Sequence, residues 1–197
     1  MKEEFVYDEG LYIKNKDLEE YEDLMMSCDY MPEDIESEDD FNSTLEYLIS
    51  LTLKSPDFLP PYEFALSMLR LLKENKEVID LQADVETRLI KACERIAEKE
   101  NIFDKTVEWA WLENRPLIRG LFHKANQLWE AGKIKEANEL FSKIYKTNKD
   151  DNIGARYSVK ATKEGISFEE FNERFTLENE HGTFFNTETL FEWYGEE

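Results

Sequence analysis

Turn-forming residues are scarce in this sequence, which has seven glycines and five prolines among 197 residues. A chain of many short strands needs frequent turns, whereas long runs rich in Leu, Glu, Lys and Ala favour helices. The composition therefore predicts an all-α fold. The hydrophobic content of 41%, with 13% aromatic residues, is typical of a globular chain that buries a core and not of a disordered chain.

Residues that carry chemistry are equally few. The two cysteines, Cys28 and Cys93, have no motif spacing and are distant in sequence from His123 and His181, so we expect free thiols in a reducing compartment. No nucleophile and base share a known arrangement, and no glycine-rich loop follows a strand. The acidic runs at 19–23 and 33–40 do not contain the Asp-x-Asp-x-Asp-Gly pattern with a closing glutamate that marks a calcium-binding loop. We therefore expect no enzyme activity, no cofactor and no metal site.

Long apolar runs are also missing. No segment approaches the 18 apolar residues of a membrane span, and the acidic N-terminus MKEEFVYDEG differs from a signal peptide. We expect a cytoplasmic protein that does not enter membranes. The formal net charge of -21 argues against nucleic-acid binding, because phosphate contacts require a positive surface.

The negative charge is unevenly distributed along the chain. Residues 1–100 carry 11 basic and 27 acidic groups, a net charge of -16, and residues 164–197 carry 1 and 10, a net charge of -9. Residues 101–163 carry 12 basic and 8 acidic groups, a net charge of +4. This basic region is where we expect recognition of a partner.

The basic region contains the clearest structural pattern, between residues 115 and 157. Its apolar residues recur at helical spacing on both sides of Gly132, which suits the left-handed position that ends a helix. The pattern predicts two antiparallel helices joined at Gly132, a helical hairpin. The residues of the two apolar stripes are Leu117, Leu121, Ala125 and Leu128 before the glycine, and Ala137, Leu140, Phe141 and Ile144 after it.

A unit of about 34 residues with this pattern resembles the tetratricopeptide repeat. Its characteristic positions fall on Ala125, Leu128, Gly132, Ala137 and Phe141. The stretch also resembles tetratricopeptide-like proteins of the suppressor-of-tumorigenicity type, in which an Arg-Pro helix start is followed, after the hairpin, by a turn reading Asn-Pro-Asn-Asp-Asn-x-Gly-x-Arg-Tyr. Here that turn runs from Asn148 to Tyr157, with Lys149 in place of the proline. The resemblance implies a binding scaffold.

Similar periodicity on either side extends the hairpin into an array. We predict about three stacked antiparallel hairpins, a tetratricopeptide-like right-handed solenoid over residues 38–180. Residues 1–37 are predicted to be an acidic, aromatic arm, and residues 181–197 an aromatic cap, because a stacked array must shield its terminal apolar face. The individual helices are predicted at 17–26, 40–54, 62–73, 77–99, 104–111 and 153–163, followed by one that Ser167 caps.

The resemblance and the helical spacing together indicate candidate site residues. Arg119 and Asn126 lie seven apart on one helix face, and Arg156 and Lys160 form a stripe on the following first helix. In tetratricopeptide proteins such positions line the concave groove and clamp a peptide carboxylate. The alternative is that Arg156 bonds groups within its own turn and that Lys160 is solvated surface. Trp129 either lines the groove or packs between hairpins.

Two functions remain open from the sequence. The first is a non-catalytic scaffold that binds a protein or peptide partner, acidic or ending in a carboxylate, through Arg119, Asn126, Trp129, Arg156 and Lys160. The second is an acidic inhibitor that mimics nucleic acid and blocks a basic partner. A scaffold should keep its positive stripe in the groove, whereas a mimic should present ordered carboxylates on a continuous face.

Overall fold

Helices make up most of the structure. The computed structural model describes residues 2–28, 31–35, 37–179 and 182–195, and these ranges contain nine α-helices and one antiparallel β-hairpin. The prediction of a helical fold class is thus confirmed. The helices are α1 (Asn15–Ser27), α2 (Glu38–Lys54), α3 (Pro60–Leu71), α4 (Lys76–Lys99), α5 (Arg115–Glu130), α6 (Ile134–Thr147), α7 (Ala155–Glu164), α8 (Phe168–Phe175) and α9 (Thr187–Tyr194), and the strands are β1 (Thr176–Asn179) and β2 (Gly182–Phe185).

Side-chain caps fix where several helices begin. The hydroxyl of Ser37 accepts a hydrogen bond from the Asp40 amide, and Ser167 does the same for Glu170. Each satisfies an N–H that has no partner within its helix. Ser167 was predicted as a cap, so the start of α8 confirms a local signal in the sequence, and Ser37 begins α2 in the same way.

The predicted helical hairpin forms between α5 and α6. Gly132 has a φ of +75°, in the left-handed region, and its amide donates to the carbonyl of Trp129. The Lys133 amide donates to the carbonyl of Leu128, so two carbonyls at the end of α5 are satisfied by the turn. With three residues between them, α5 and α6 must reverse direction and pack along their apolar stripes.

Consecutive helices pack on one another along the chain. From α2 to α7 each helix contacts the next, α5 also contacts α8, and α9 packs on α7 and α8. One cluster of buried residues extends from Phe5 to Leu190. Two helices approach closely at Gly120 in α5, where a Cβ atom would stand 2.4 Å from the Sγ of Cys93 in α4. Glycine is therefore needed there for the two helices to cross.

The N-terminal arm is docked against the helices. Phe5 and Tyr7 are buried, and the Tyr7 hydroxyl donates to the carbonyl of Asp57 and accepts from the Leu59 amide. The buried side chain of Asn114 accepts from the Tyr7 amide and donates to the Phe5 carbonyl. The arm thus enters the core, while the proposed boundaries at residues 37 and 180 stay a prediction.

The prediction of a helix at 104–111 is wrong. A short 3₁₀ turn spans Ile102–Asp104, and the chain is then irregular until a second one at Leu112–Asn114. The reason is pairing with the arm: the Phe5 amide donates to the Thr106 carbonyl at 2.8 Å, and the Thr106 amide donates to the Glu3 carbonyl at 2.7 Å. A helix would use these groups internally.

The C-terminal segment contains a feature that the sequence did not predict. Thr176–Asn179 pairs antiparallel with Gly182–Phe185, and α9 then packs back on α7 and α8 with Leu190 buried. The predicted cap at 181–197 includes residues 181, 196 and 197 and the side chain of Phe184, which lie outside the described part. Among the helices described, none is both long and apolar enough to cross a membrane.

Candidate functional site

One face of α5 lies between two cavities. Its residues Arg119, Phe122, His123 and Asn126 are three, four and seven positions apart, so they share a stripe. Arg119 and His123 line a cavity of about 410 Å³ against α3, which we call the α3–α5 cavity. Phe122 lines a second cavity of about 350 Å³ against α7 and α9, which we call the aromatic pocket.

Arg119 is held by an acidic partner from α3. Its guanidinium Nη1 donates to both carboxylate oxygens of Glu63, at 3.0 and 2.9 Å. The guanidinium carbon lies 5.1 Å from the ring centre of Trp109. The α3–α5 cavity also has Arg70 in its lining. Two arginines therefore face one glutamate, which leaves an excess of positive charge in this cavity.

Asn126 and Trp129 have different environments. Asn126 is half-buried, and the described residues provide no hydrogen-bond partner for its side-chain amide. Trp129 is 2% exposed, and its Nε1 donates to the carbonyl of Ile166 at 2.9 Å. Its ring also packs on Phe141 and Phe171. Of the two roles that the sequence left open for Trp129, the structure places it in packing between helices.

The turn before α7 is organised by Asp151. This buried residue adopts a left-handed φ of 45°, and its carboxylate accepts hydrogen bonds from the amides of Ala155 and Arg156, at 2.7 and 3.1 Å. The Arg156 guanidinium donates to the same carboxylate at 2.9 Å. Burial raises the pKa of Asp151, and these donors oppose the rise. Arg156 therefore stabilises the turn, which is the alternative weighed for it.

Lys160 is engaged by the last helix. Its ammonium donates to the carbonyl of Trp193 near the end of α9, and lies 4.5 Å from the ring centre of that tryptophan. A cation at the C-terminal end of a helix is stabilised by the partial negative charge of the unpaired carbonyls. Lys160 is thus a contact between α7 and α9 and not solvated surface.

The four polar residues predicted to line one groove, Arg119, Asn126, Arg156 and Lys160, are therefore divided between two places. Arg156 and Lys160 come together, since both have the ring of Tyr194 within 6 Å. Arg119 lies instead against α3, where it forms an ion pair with Glu63. The cations predicted to clamp a carboxylate each have an intramolecular partner: Glu63, Asp151 or the end of α9.

Of the residues that line the aromatic pocket, the sequence pointed to Arg156 as a site residue and missed most of the others. Phe122 could have been found, because it lies three positions from Arg119 on the same face. Ser158 and Phe191 gave no signal, since they reach the pocket only after α7 and α9 are packed together. The same holds for Glu63, which meets Arg119 across 56 residues of sequence.

A third cavity is lined by carboxylates. Glu9, Glu22, Glu63 and Glu113 share a cavity of about 530 Å³ between the arm, α1 and α3, which we call the acidic cleft. Burial raises the pKa of Glu9, and the carboxylates of Glu113 and Glu22 raise it further. The carboxylates of the acidic cleft therefore repel one another, and this repulsion lowers the free energy of unfolding.

The raised pKa of Glu9 predicts a pH-dependent effect on stability. A carboxyl group with a raised pKa contributes stability below its unfolded pKa of about 4.3, and loses it as the pH rises through its folded pKa. The Glu9→Gln variant should therefore have a larger unfolding free energy than the wild type at pH 7, by less than about 1 kcal/mol, and nearly the same at pH 4. Urea titrations at both pH values measure the difference.

The matched control is Glu98→Gln on the exposed surface of α4, which removes the same charge outside the cleft. If both variants gain the same unfolding free energy at pH 7, the effect of Glu9 comes from the net charge of the protein and not from its neighbours in the acidic cleft.

The arrangement of His, Cys, Asp and Glu side chains bears on metal binding. In the described ranges, no group of three or more His, Cys, Asp and Glu side chains is placed to hold a metal ion. Both cysteines are buried, and burial raises the pKa of the Cys93 thiol, which keeps it protonated and unreactive.

The chain matches none of the known proteins with which it was compared. No protein family, no curated protein and no solved structure matches it.

Proposed function

We propose that this protein is a non-catalytic, cytoplasmic scaffold that binds a peptide segment of a partner protein across α5. The observation that carries the proposal is the pair of cavities on one face of α5, one facing α3 and the other facing α7. Two adjacent cavities with different chemistry suit an extended peptide, which presents several side chains in sequence.

The helix order supports a tetratricopeptide-like array. In this proposal α3–α4, α5–α6 and α7–α8 are three hairpins of a right-handed solenoid, and α3, α5 and α7 are the first helices. The second helix of one pair also packs on the first helix of the next, α4 on α5 and α6 on α7, as a stacked array requires. The first helices would then form the binding face, where both cavities lie.

The charges favour an acidic residue in the ligand near α3. The α3–α5 cavity has Arg70 and Arg119 against the single carboxylate of Glu63, with His123 beside them. A ligand carboxylate would bond Arg70 or compete with Glu63 for Arg119, through charge-assisted hydrogen bonds. The intramolecular partners of Arg156 and Lys160 make a second carboxylate site on α7 unfavourable, so one acidic residue suffices.

Selection of peptides from a random phage-displayed library tests the proposal on the full chain. Peptides that bind should lose affinity by about tenfold or more in the Arg119→Ala variant, because a hydrogen bond to a charged group contributes about 1.5–3 kcal/mol. The Lys135→Ala variant, which removes an exposed lysine of α6, should bind them as the wild type does. Calorimetric titration measures both.

The proposal fails if no peptide binds with measurable affinity, or if Arg119→Ala and Lys135→Ala bind equally well. Intact folding of each variant is checked by its thermal unfolding midpoint.

A rival function rests on the acidic cleft. Four glutamates around one cavity suit a basic side chain of a partner, as an acidic inhibitor or nucleic-acid mimic would require. The same library separates the two functions. Enrichment of basic peptides whose affinity falls in Glu113→Gln, and does not fall in Arg119→Ala, would support the rival and overturn the peptide site on α5.

A further inference from the structure

The aromatic pocket is built from parts of the chain that are distant in sequence. Phe122 comes from α5, residues 150–154 from the turn, Tyr157 and Ser158 from α7, and the far wall from β2 and α9. Its volume of about 350 Å³ lies at the lower end of the range for ligand pockets. Its apolar lining consists of Phe122, Ile153, Tyr157, Phe171, Phe185, Leu190 and Phe191.

Two aromatic residues of this wall remain open to solvent. Phe185 is 49% exposed and Phe191 is 41% exposed. Phe191 rests on Tyr157, with a ring-centre distance of 6.1 Å and ring planes 26° apart. Exposed aromatic side chains around a concave site are a recurrent feature of interaction surfaces, because covering them removes apolar area from water.

The charges around the pocket do not call for a charged ligand. The carboxylate of Asp151 is matched by the Arg156 guanidinium and two backbone amides. Lys160 faces the end of α9. Asp150 adds a negative group at the rim, which disfavours an anionic ligand. A neutral apolar group therefore fits this pocket better than the carboxylate predicted from the sequence.

Ser158 supplies the second observation. It lines the pocket and is only 4% exposed, yet its hydroxyl has no hydrogen-bond partner in the part of the chain that the structure describes. No side chain among the described residues occupies this hydroxyl, so it is available to a ligand as a hydrogen-bond donor and acceptor. A ligand atom that bonds it would replace a hydrogen bond to water and fix the orientation of the ligand.

We propose that the aromatic pocket holds one large, uncharged side chain of a peptide, preferably aromatic, with a polar atom of the same peptide residue bonded to the Ser158 hydroxyl. An aromatic ring would make edge or offset contacts with Phe122 and Tyr157 and cover Phe191. The inference rests on the proposed function and specifies the residue that anchors the peptide, while the acidic residue binds near Arg119.

The test uses the ¹⁵N-labelled full chain and three amino-acid derivatives as probes. N-acetyl-L-phenylalaninamide is expected to cause saturable shifts in the amide resonances of residues 152–154, Ser158 and Phe191, at millimolar concentration. N-acetyl-L-alaninamide and the acidic N-acetyl-L-aspartic acid amide should not shift these resonances. Equal responses to all three probes, or no saturable response to the first, would overturn the assignment.

Variants of the pocket sharpen the test. Ser158→Ala removes the hydroxyl and should weaken phenylalaninamide binding about 2- to 10-fold, the effect of one net hydrogen bond. Ser158→Leu fills the pocket and should abolish binding. Ser67→Ala, a serine of the α3–α5 cavity, is the matched control and should bind as the wild type does. Binding that survives Ser158→Leu in a folded protein contradicts the proposal.

A variant that leaves the interior of the fold intact covers the case in which Ser158→Leu does not fold. Phe191→Ala removes a half-exposed wall of the pocket and should weaken binding at least several-fold. Unchanged binding in Phe191→Ala would also contradict the proposal.

The peptides selected from the library separate this inference from the proposed function. Peptides that lose affinity in Arg119→Ala but bind Ser158→Ala and Phe191→Ala as the wild type does would leave the scaffold function standing and overturn the anchor pocket. If no peptide is selected, the proposed function fails, and with it the assignment of a peptide side chain, even if phenylalaninamide binds.

Discussion

Replacing Gly120 by alanine should destabilise the protein by about 1–3 kcal/mol, although alanine is the better helix former. The new Cβ would stand 2.4 Å from the Sγ of Cys93, which is fully buried in α4. Neither helix can move away without opening the packing between α4 and α5. Urea unfolding of Gly120→Ala, followed by circular dichroism at 222 nm, measures the loss.

The partner of the contact provides a strict control. Cys93→Ala removes the Sγ atom and leaves the Cβ, which would be 3.3 Å from the new methyl group. The double variant Gly120→Ala/Cys93→Ala should therefore be more stable than the sum of the two single changes predicts. Simple additivity would show that the close approach does not determine the cost.

Replacing Asp151 by alanine should cost about 2–4 kcal/mol and loosen the start of α7. The change leaves two backbone amides and the Arg156 guanidinium without their acceptor in a buried turn. It also places alanine at a left-handed φ of 45°, which aspartate and asparagine tolerate better. Hydrogen exchange at the amides of Ala155 and Arg156 should become much faster in the variant.

Asp151→Asn separates the two effects. Asparagine keeps the left-handed backbone favourable and retains one oxygen acceptor, but its amide group cannot pair with the Arg156 guanidinium. We expect Asp151→Asn to lower the unfolding free energy by less than Asp151→Ala does. A loss equal to that of Asp151→Ala would assign the whole effect to the charge pair, and no loss in either variant would show that the turn does not depend on this carboxylate.

The turn at Asp151 also connects stability with the proposed binding site. Residues 150–154 line the aromatic pocket, and α7 contributes Tyr157 and Ser158 to it. The same carboxylate that starts α7 therefore fixes these two residues relative to α5. Asp151→Ala should consequently weaken any ligand of the aromatic pocket more than a ligand of the α3–α5 cavity.

The cations predicted as a carboxylate clamp have intramolecular partners that helical spacing does not reveal. Their helical spacing placed Arg119 and Asn126 on one face, and Arg156 and Lys160 on another. The spacing carried no information about Glu63 or the end of α9, which neutralise or occupy these groups. The local positive charge thus stabilises contacts between helices, and the excess that is left lies near Arg70.

The sequence by itself determined the features whose cause lies within a few residues. Apolar spacing indicated the helices from α1 to α8, Ser37 and Ser167 cap two of them, and Gly132 ends α5 before the turn into α6. These signals act over three or four positions, because a helical turn and a cap are completed at that distance.

Only the tertiary structure decided the features whose partners are distant in sequence. The arm binds Thr106 by backbone hydrogen bonds, which prevents the helix expected there, and α9 returns to meet Lys160. The aromatic pocket joins α5 to residues more than sixty positions later. Such contacts depend on how finished helices pack, and helical periodicity states which face is apolar but not which surface will cover it.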